Sequence, residues 1–165
     1  MKSKKILIPM AILFGGAVMV GCTNKEETQV EQVATIKKDL VMDDVAIKLK
    51  ESGLLTQGST EMPAKDHWIF ESVKDVIEDG FVSQAMINVK LQDVMLIKTT
   101  DMDAVEKAIL DYKENSLRMF GDGYGGEENI TAVADSKLVK KDGYVYFIAT
   151  PNASEVEAKL LEIIQ

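Results

Sequence analysis

The chain has 165 residues, 46% hydrophobic and 28% charged, a mixture that suits one folded domain and excludes wholesale disorder. It carries 19 Lys and Arg against 27 Asp and Glu, a net charge of −8, which excludes nucleic-acid binding by phosphate neutralisation and charge-driven adhesion to an anionic membrane. A single cysteine, Cys22, cannot close a disulfide within the chain.

The first 21 residues read as an export signal. Lys2, Lys4 and Lys5 make a basic start, and Ile6 to Val20 is an apolar run of 15 residues. That run is shorter than the roughly 20 residues a spanning helix needs. It ends in Met19-Val20-Gly21-Cys22, after which Thr23 to Gln32 turns abruptly polar. This junction resembles the lipobox of bacterial lipoproteins. The resemblance implies cleavage after Gly21 and a diacylglyceryl group on the Cys22 sulfur. Met19 departs from the pattern, which usually has Leu there. The competing reading is an ordinary signal peptide, or an uncleaved anchor, with Cys22 incidental. Lipidation also accounts for the lone thiol, because a lipidated sulfur is no longer free. Without residues 1–21 three lysines and no acid are lost, so the charge falls to −11. Membrane attachment then rests on acyl chains, at about 0.8 kcal/mol per buried methylene.

Residues 22–38 read as a flexible tether, and 39–165 as the domain. In chain order, Asp43 to Ser52 predicts a helix, with Val41, Val45 and Leu49 on one face and Gly53 as its stop. Gly58, Ser59, Thr60 and Pro63 mark a loop. Lys65 to Glu78 carries a partial helical stripe. Phe81 to Lys90 and Asp93 to Thr99 predict strands, the second more strongly. Thr100 and Asp103 have capping-box spacing ahead of a helix whose apolar face runs through Met102, Val105, Ile109, Tyr112, Ser116 and Met119. Phe120 to Asn129 is a glycine-rich loop. Ala132 to Lys140 and Tyr144 to Thr150 predict a hairpin turning at Lys141-Asp142-Gly143, Asp-Gly being a favoured turn pair. Asn152, with Glu155 three residues on, predicts the start of a last helix with Val156, Leu160 and Ile163 buried. The fold expected is α+β, a small antiparallel sheet of about four strands with helices packed on one face.

Candidate sites are few. His67 is the only histidine, with no second His or free Cys to complete a zinc site; the reading preferred for it is structural. In the glycine-rich segment, Asp122, Glu127, Glu128 and Asn129 offer oxygens of the kind calcium takes. Their spacing is neither that of an EF-hand nor that of a phosphate loop, and a plain connection is the preferred reading. Two acids from separate segments would be needed for hydrolysis, and sequence does not bring them together.

From Asp43 onward the order of features resembles an uncharacterised family of Gram-positive bacterial lipoproteins, a domain of unknown function. Three stretches carry the resemblance: Asp43-Asp44-Val45-Ala46; Val94-Met95-Leu96-Ile97-Lys98 with Val105 to Leu110; and Gly143 to Ile148 with Pro151-Asn152-Ala153. The resemblance covers about three-quarters of the chain. The resemblance implies a shared fold and an extracytoplasmic setting, and brings no activity and no catalytic residues. The expectation is thus a cell-membrane lipoprotein anchored through Cys22 on the extracytoplasmic face. It would be a non-enzymatic binding or accessory module without a cofactor, meeting an envelope protein, polymer or solute. A surface hydrolase and a cation-binding regulator are the alternatives.

Overall fold

A computed structural model describes residues 34–165. The signal segment, Gly21, Cys22 and the tether up to residue 33 lie outside the described residues. Packing begins at Ile36, inside the segment expected as tether. Its side chain is buried in the core, its N–H donates to Asp142 Oδ2 at 2.9 Å, and Lys37 N–H donates to the Ile164 carbonyl at 2.8 Å.

Helix α1 (Met42–Glu51) buries Met42, Val45, Ala46 and Leu49, the three-and-four spacing of one helix face. Asp43 and Asp44 lie in its first turn and Lys48 and Lys50 in its last, each complementing the helix dipole. Val41, expected on the buried face, precedes the helix and is exposed. The predicted loop at 59–63 is strand β1 (Ser59–Pro63), and the ambiguous stripe at 65–78 resolves into three short 3-10 turns. Strand β2 (Ile77–Ala85) follows, with a bulge near Ile77 and Asp79, and then β3 (Asp93–Thr99).

Helix α2 (Met102–Asn115) is capped by Asp101, whose Oδ1 accepts from Ala104 N–H at 3.0 Å. The expected Thr100–Asp103 box is not made, because Asp103 reaches Lys140 instead, at 2.6 Å. The stretch read as loop and strand folds into α3 (Arg118–Gly121) and α4 (Glu127–Ala134). Strands β4 (Lys137–Lys141) and β5 (Tyr144–Ala149) form the predicted hairpin. Asp142 and Gly143 both take positive φ there, at 53° and 84°, as a two-residue hairpin turn requires. Helix α5 (Ala153–Ile164) closes the chain. Asn152 makes no cap bond with its side chain; its Nδ2 instead donates to the Leu54 carbonyl at 3.1 Å.

The architecture is α+β with an antiparallel sheet, as the sequence indicates, but the sheet has five strands in the order β1-β2-β3-β5-β4. Helices cover both of its faces rather than one. Alternate residues of a strand point to opposite faces. Val94, Leu96, Tyr144, Tyr146 and Ile148 pack with α1 and α5; Met95, Ile97, Val145 and Phe147 pack with α2 and Ala132 of α4. The two central strands are apolar on both sides, so each side needs its own cover.

Candidate functional site

At the start of β3, Asp93 lies opposite Gln84 of β2. Both side chains project to the face covered by α2. Tyr112 shares the buried face of α2 with Val105 and Ile109 and extends past them to the strand end. Its hydroxyl donates to Asp93 Oδ2 at 2.5 Å, and Gln84 Nε2 donates to Asp93 Oδ1 at 2.9 Å. Behind Gln84, His67 Nε2 lies 2.8 Å from Gln84 Oε1, while His67 Nδ1 accepts from Ile69 N–H at 3.4 Å. With Nδ1 as the acceptor, Nε2 is the ring's donor to Gln84 Oε1. The four side chains form one network in which two lines of donors, His67 through Gln84 and Tyr112 directly, converge on the Asp93 carboxylate.

Asp93 is only 4% exposed. Burial pushes its carboxyl up to about 6, against the opposing pull of the bonds from Tyr112 and Gln84. Burial and the neighbouring Asp93 charge raise the Tyr112 phenol far above its ordinary range, so it stays a donor.

Over this network opens a groove of about 410 Å³, lined by Gln84, Asp93 and Tyr112 at its floor and by Ile87, Lys90, Met119, Phe120 and Tyr124 among its walls. Ile87 and Met119 are each 50% exposed and Tyr124 44%. Asp93 is the one carboxylate in the lining. One wall is the turn between β2 and β3, which Asn129 of α4 fixes in place. The Asn129 Oδ1 accepts from Leu91 N–H, and its Nδ2 donates to the carbonyls of Val89 and Tyr124, all at 2.9 Å. Gly125 approaches that turn so closely that a Cβ would sit 2.2 Å from the Val89 carbonyl oxygen, at φ +79°. Only glycine meets both demands. On the other side of Tyr112, the exposed Trp68 stands edge-on to its ring at 5.6 Å, beside a second cleft of about 240 Å³.

The acids singled out from the sequence lie elsewhere. Asp122 follows α3 and lies 3.5 Å from Arg118; Glu127 and Glu128 are exposed in the first turn of α4. Among the described residues no group of three His, Cys, Asp or Glu is placed to hold a metal ion. Asn129, counted with those acids, is buried and serves as a clamp. His67 does enter the polar network, in the structural role preferred for it. Gln84, Asp93 and Tyr112 were not singled out, because Tyr112 fits an ordinary helix face and Asp93 an ordinary strand end. The one available signal was an acid directly abutting the apolar run Val94 to Ile97.

Residues 69–150 match the model of DUF4358, a domain of unknown function. The DUF4358 span runs from the second 3-10 turn to the residue after β5, so it holds the whole groove lining and leaves out His67, α1, β1 and α5. No curated protein and no solved structure matches the chain.

Proposed function

We propose that the protein is a lipid-anchored extracytoplasmic binding module, acylated at Cys22, whose binding surface is the groove above Asp93. The groove carries the reading. It has the volume of a small-ligand site, with walls of Ile87, Met119, Phe120 and Tyr124, broken by Asn88 and Lys90, over a few converging polar groups. Both Asp93 oxygens already accept hydrogen bonds from neutral donors, an arrangement suited to recognition more than to proton transfer. The anchor rests on the Gly21-Cys22 junction behind a basic start and an apolar run. No helix among the described residues is long and apolar enough to cross a membrane.

Two measurements test the two halves. Wild-type protein should fractionate with membranes and carry a lipid mass on Cys22; Cys22→Ser should lose the mass and leave the membrane. A Cys22→Ser chain that stays membrane-bound, with no lipid mass in the wild type, would defeat the anchor. Amide NMR of that variant, screened with small solutes and cell-wall fragments, should show saturable shifts confined to residues 84–93 and 112–124. Shifts centred elsewhere would defeat the groove.

A further inference from the structure

We propose that the ligand of this groove carries an organic ammonium group, which sits above Asp93 beside the rings of Tyr112, Phe120 and Tyr124. The inference rests on the reading that the groove is the binding surface, and adds the chemistry of what fills it.

Asp93 is a buried carboxylate whose hydrogen-bond partners, Tyr112 and Gln84, are both neutral. Among the described residues no ion pair includes it. A charge held out of water without a counter-charge is costly, and a cation brought to it gains more than one brought to a hydrated surface acid. Three aromatic side chains line the same space, and Phe120 and Tyr124 already stand together, centroids 5.6 Å apart. Aromatic faces attract cations, and quaternary ammonium groups above all, because such ions shed water easily. Carboxylate below and rings beside are complementary to one ligand feature, a positive charge clothed in carbon. The polar groups facing Asp93 are Tyr112 from α2, Gln84 from β2 with His67 behind it, and Lys90 from the turn. Lys90 lies exposed in the wall, so water screens it more than it screens the floor.

The burial that raises the Asp93 carboxyl to about 6 gives the site a pH signature. An ammonium ligand needs the ionised form, so its affinity should fall as pH drops below 6 and hold above 7.

The test uses the Cys22→Ser chain and three probes: choline, its uncharged isostere with carbon in place of nitrogen, and an acetylated lysine amide. Trp68 is the only tryptophan and touches Tyr112, so its emission reports locally, alongside amide shifts. The expected result is saturable choline binding at the groove, with the isostere at least about tenfold weaker. A lysine amide that outbinds choline also supports the inference, and places the ligand among primary amines. Asp93→Asn should erase the preference for choline over the isostere, while Tyr124→Ala, a change at an exposed ring, should weaken choline in a chain that still folds. Equal binding of choline and isostere overturns the ammonium inference and leaves the groove reading standing. So does silence from both cations while an uncharged or anionic solute shifts the same amides. Saturable shifts outside the groove overturn both.

Discussion

Asp93→Asn removes a buried charge and keeps the shape of the side chain. Burial lifts the Asp93 carboxyl from its ordinary 3.8 to about 6. At about 1.4 kcal/mol per tenfold in proton affinity, the displacement corresponds to about 3 kcal/mol. The sign follows from which state holds the proton more tightly. Between pH 4 and 6 the folded chain does, so this residue's contribution to stability falls as pH rises through that window and stays low above it. At neutral pH the wild type bears the whole cost. The asparagine bears none, but it places an amide donor where an acceptor was, and the Tyr112 hydroxyl must turn to receive it, at a cost of about 1 kcal/mol. Asp93→Asn should therefore be more stable than wild type by about 2 kcal/mol near pH 7.5, and the gain should vanish and give way to a deficit of about 1 kcal/mol near pH 4. Urea unfolding followed by Trp68 fluorescence across that range measures it. A variant less stable than wild type at neutral pH, by an amount that does not change with pH, would refute the assignment of Asp93 as a buried, uncompensated charge.

The network and its supports make further predictions. Tyr112→Phe removes the shorter of the two bonds to the carboxylate, so Asp93 should take its proton at still higher pH, and the chain should lose about 1.5–3 kcal/mol at neutral pH, by the same unfolding assay. Asn129→Leu leaves one backbone N–H and two carbonyls without their partner, and should cost about 3 kcal/mol while amide exchange at residues 87–91 accelerates. Asp101→Ala should cost about 1 kcal/mol through the lost cap of α2, whereas Thr100→Ala should leave the melting temperature nearly unchanged; equal losses would restore the Thr100 cap.

How far the sequence was legible depended on whether a local pattern or a tertiary contact decided each element. Asp142-Gly143 announces its hairpin because the turn chemistry is local, and Asp93 to Thr99 forms the strand its apolar run predicts. The two-sided sheet was also legible in principle. Val94 to Ile97 and Tyr144 to Ala149 do not alternate between apolar and polar, and such runs require cover on both faces. By contrast, β1 is a strand only because Ser59 to Pro63 pairs with Ala85 to Phe81; Ser-Thr-Glu-Met-Pro has no strand pattern of its own. Helix α4 was hidden by the glycines before it and by the hairpin expected after it. The groove over Asp93 was illegible for a similar reason. Its floor joins residues 84, 93 and 112, whose side chains meet only once β2, β3 and α2 have packed.

The register of the sheet also bears on the feature most readable in the sequence, Cys22. Ile36 and Lys37 are held against Asp142 and the end of α5, and the Tyr144 hydroxyl donates to the Lys37 carbonyl at 3.3 Å. Tyr144 pairs with Lys98 at one end of β3, and Ala149 pairs with Asp93 at the other. The chain therefore joins the domain at one end of the central strands, and the groove opens at the opposite end, about 17 Å away at the rise of an extended strand. Thirteen residues lie between Cys22 and Ile36, a reach of at most about 50 Å. With the acyl anchor proposed at Cys22, a groove at the end where the chain joins would be crowded by lipid, and a hydrophobic groove there would compete with the bilayer for its own ligand. A groove at the far end avoids both. On that proposal the ligand reaches the groove from solution, and vesicles without a soluble ligand should leave the amides of residues 84–93 unshifted even when the lipidated chain is bound to them.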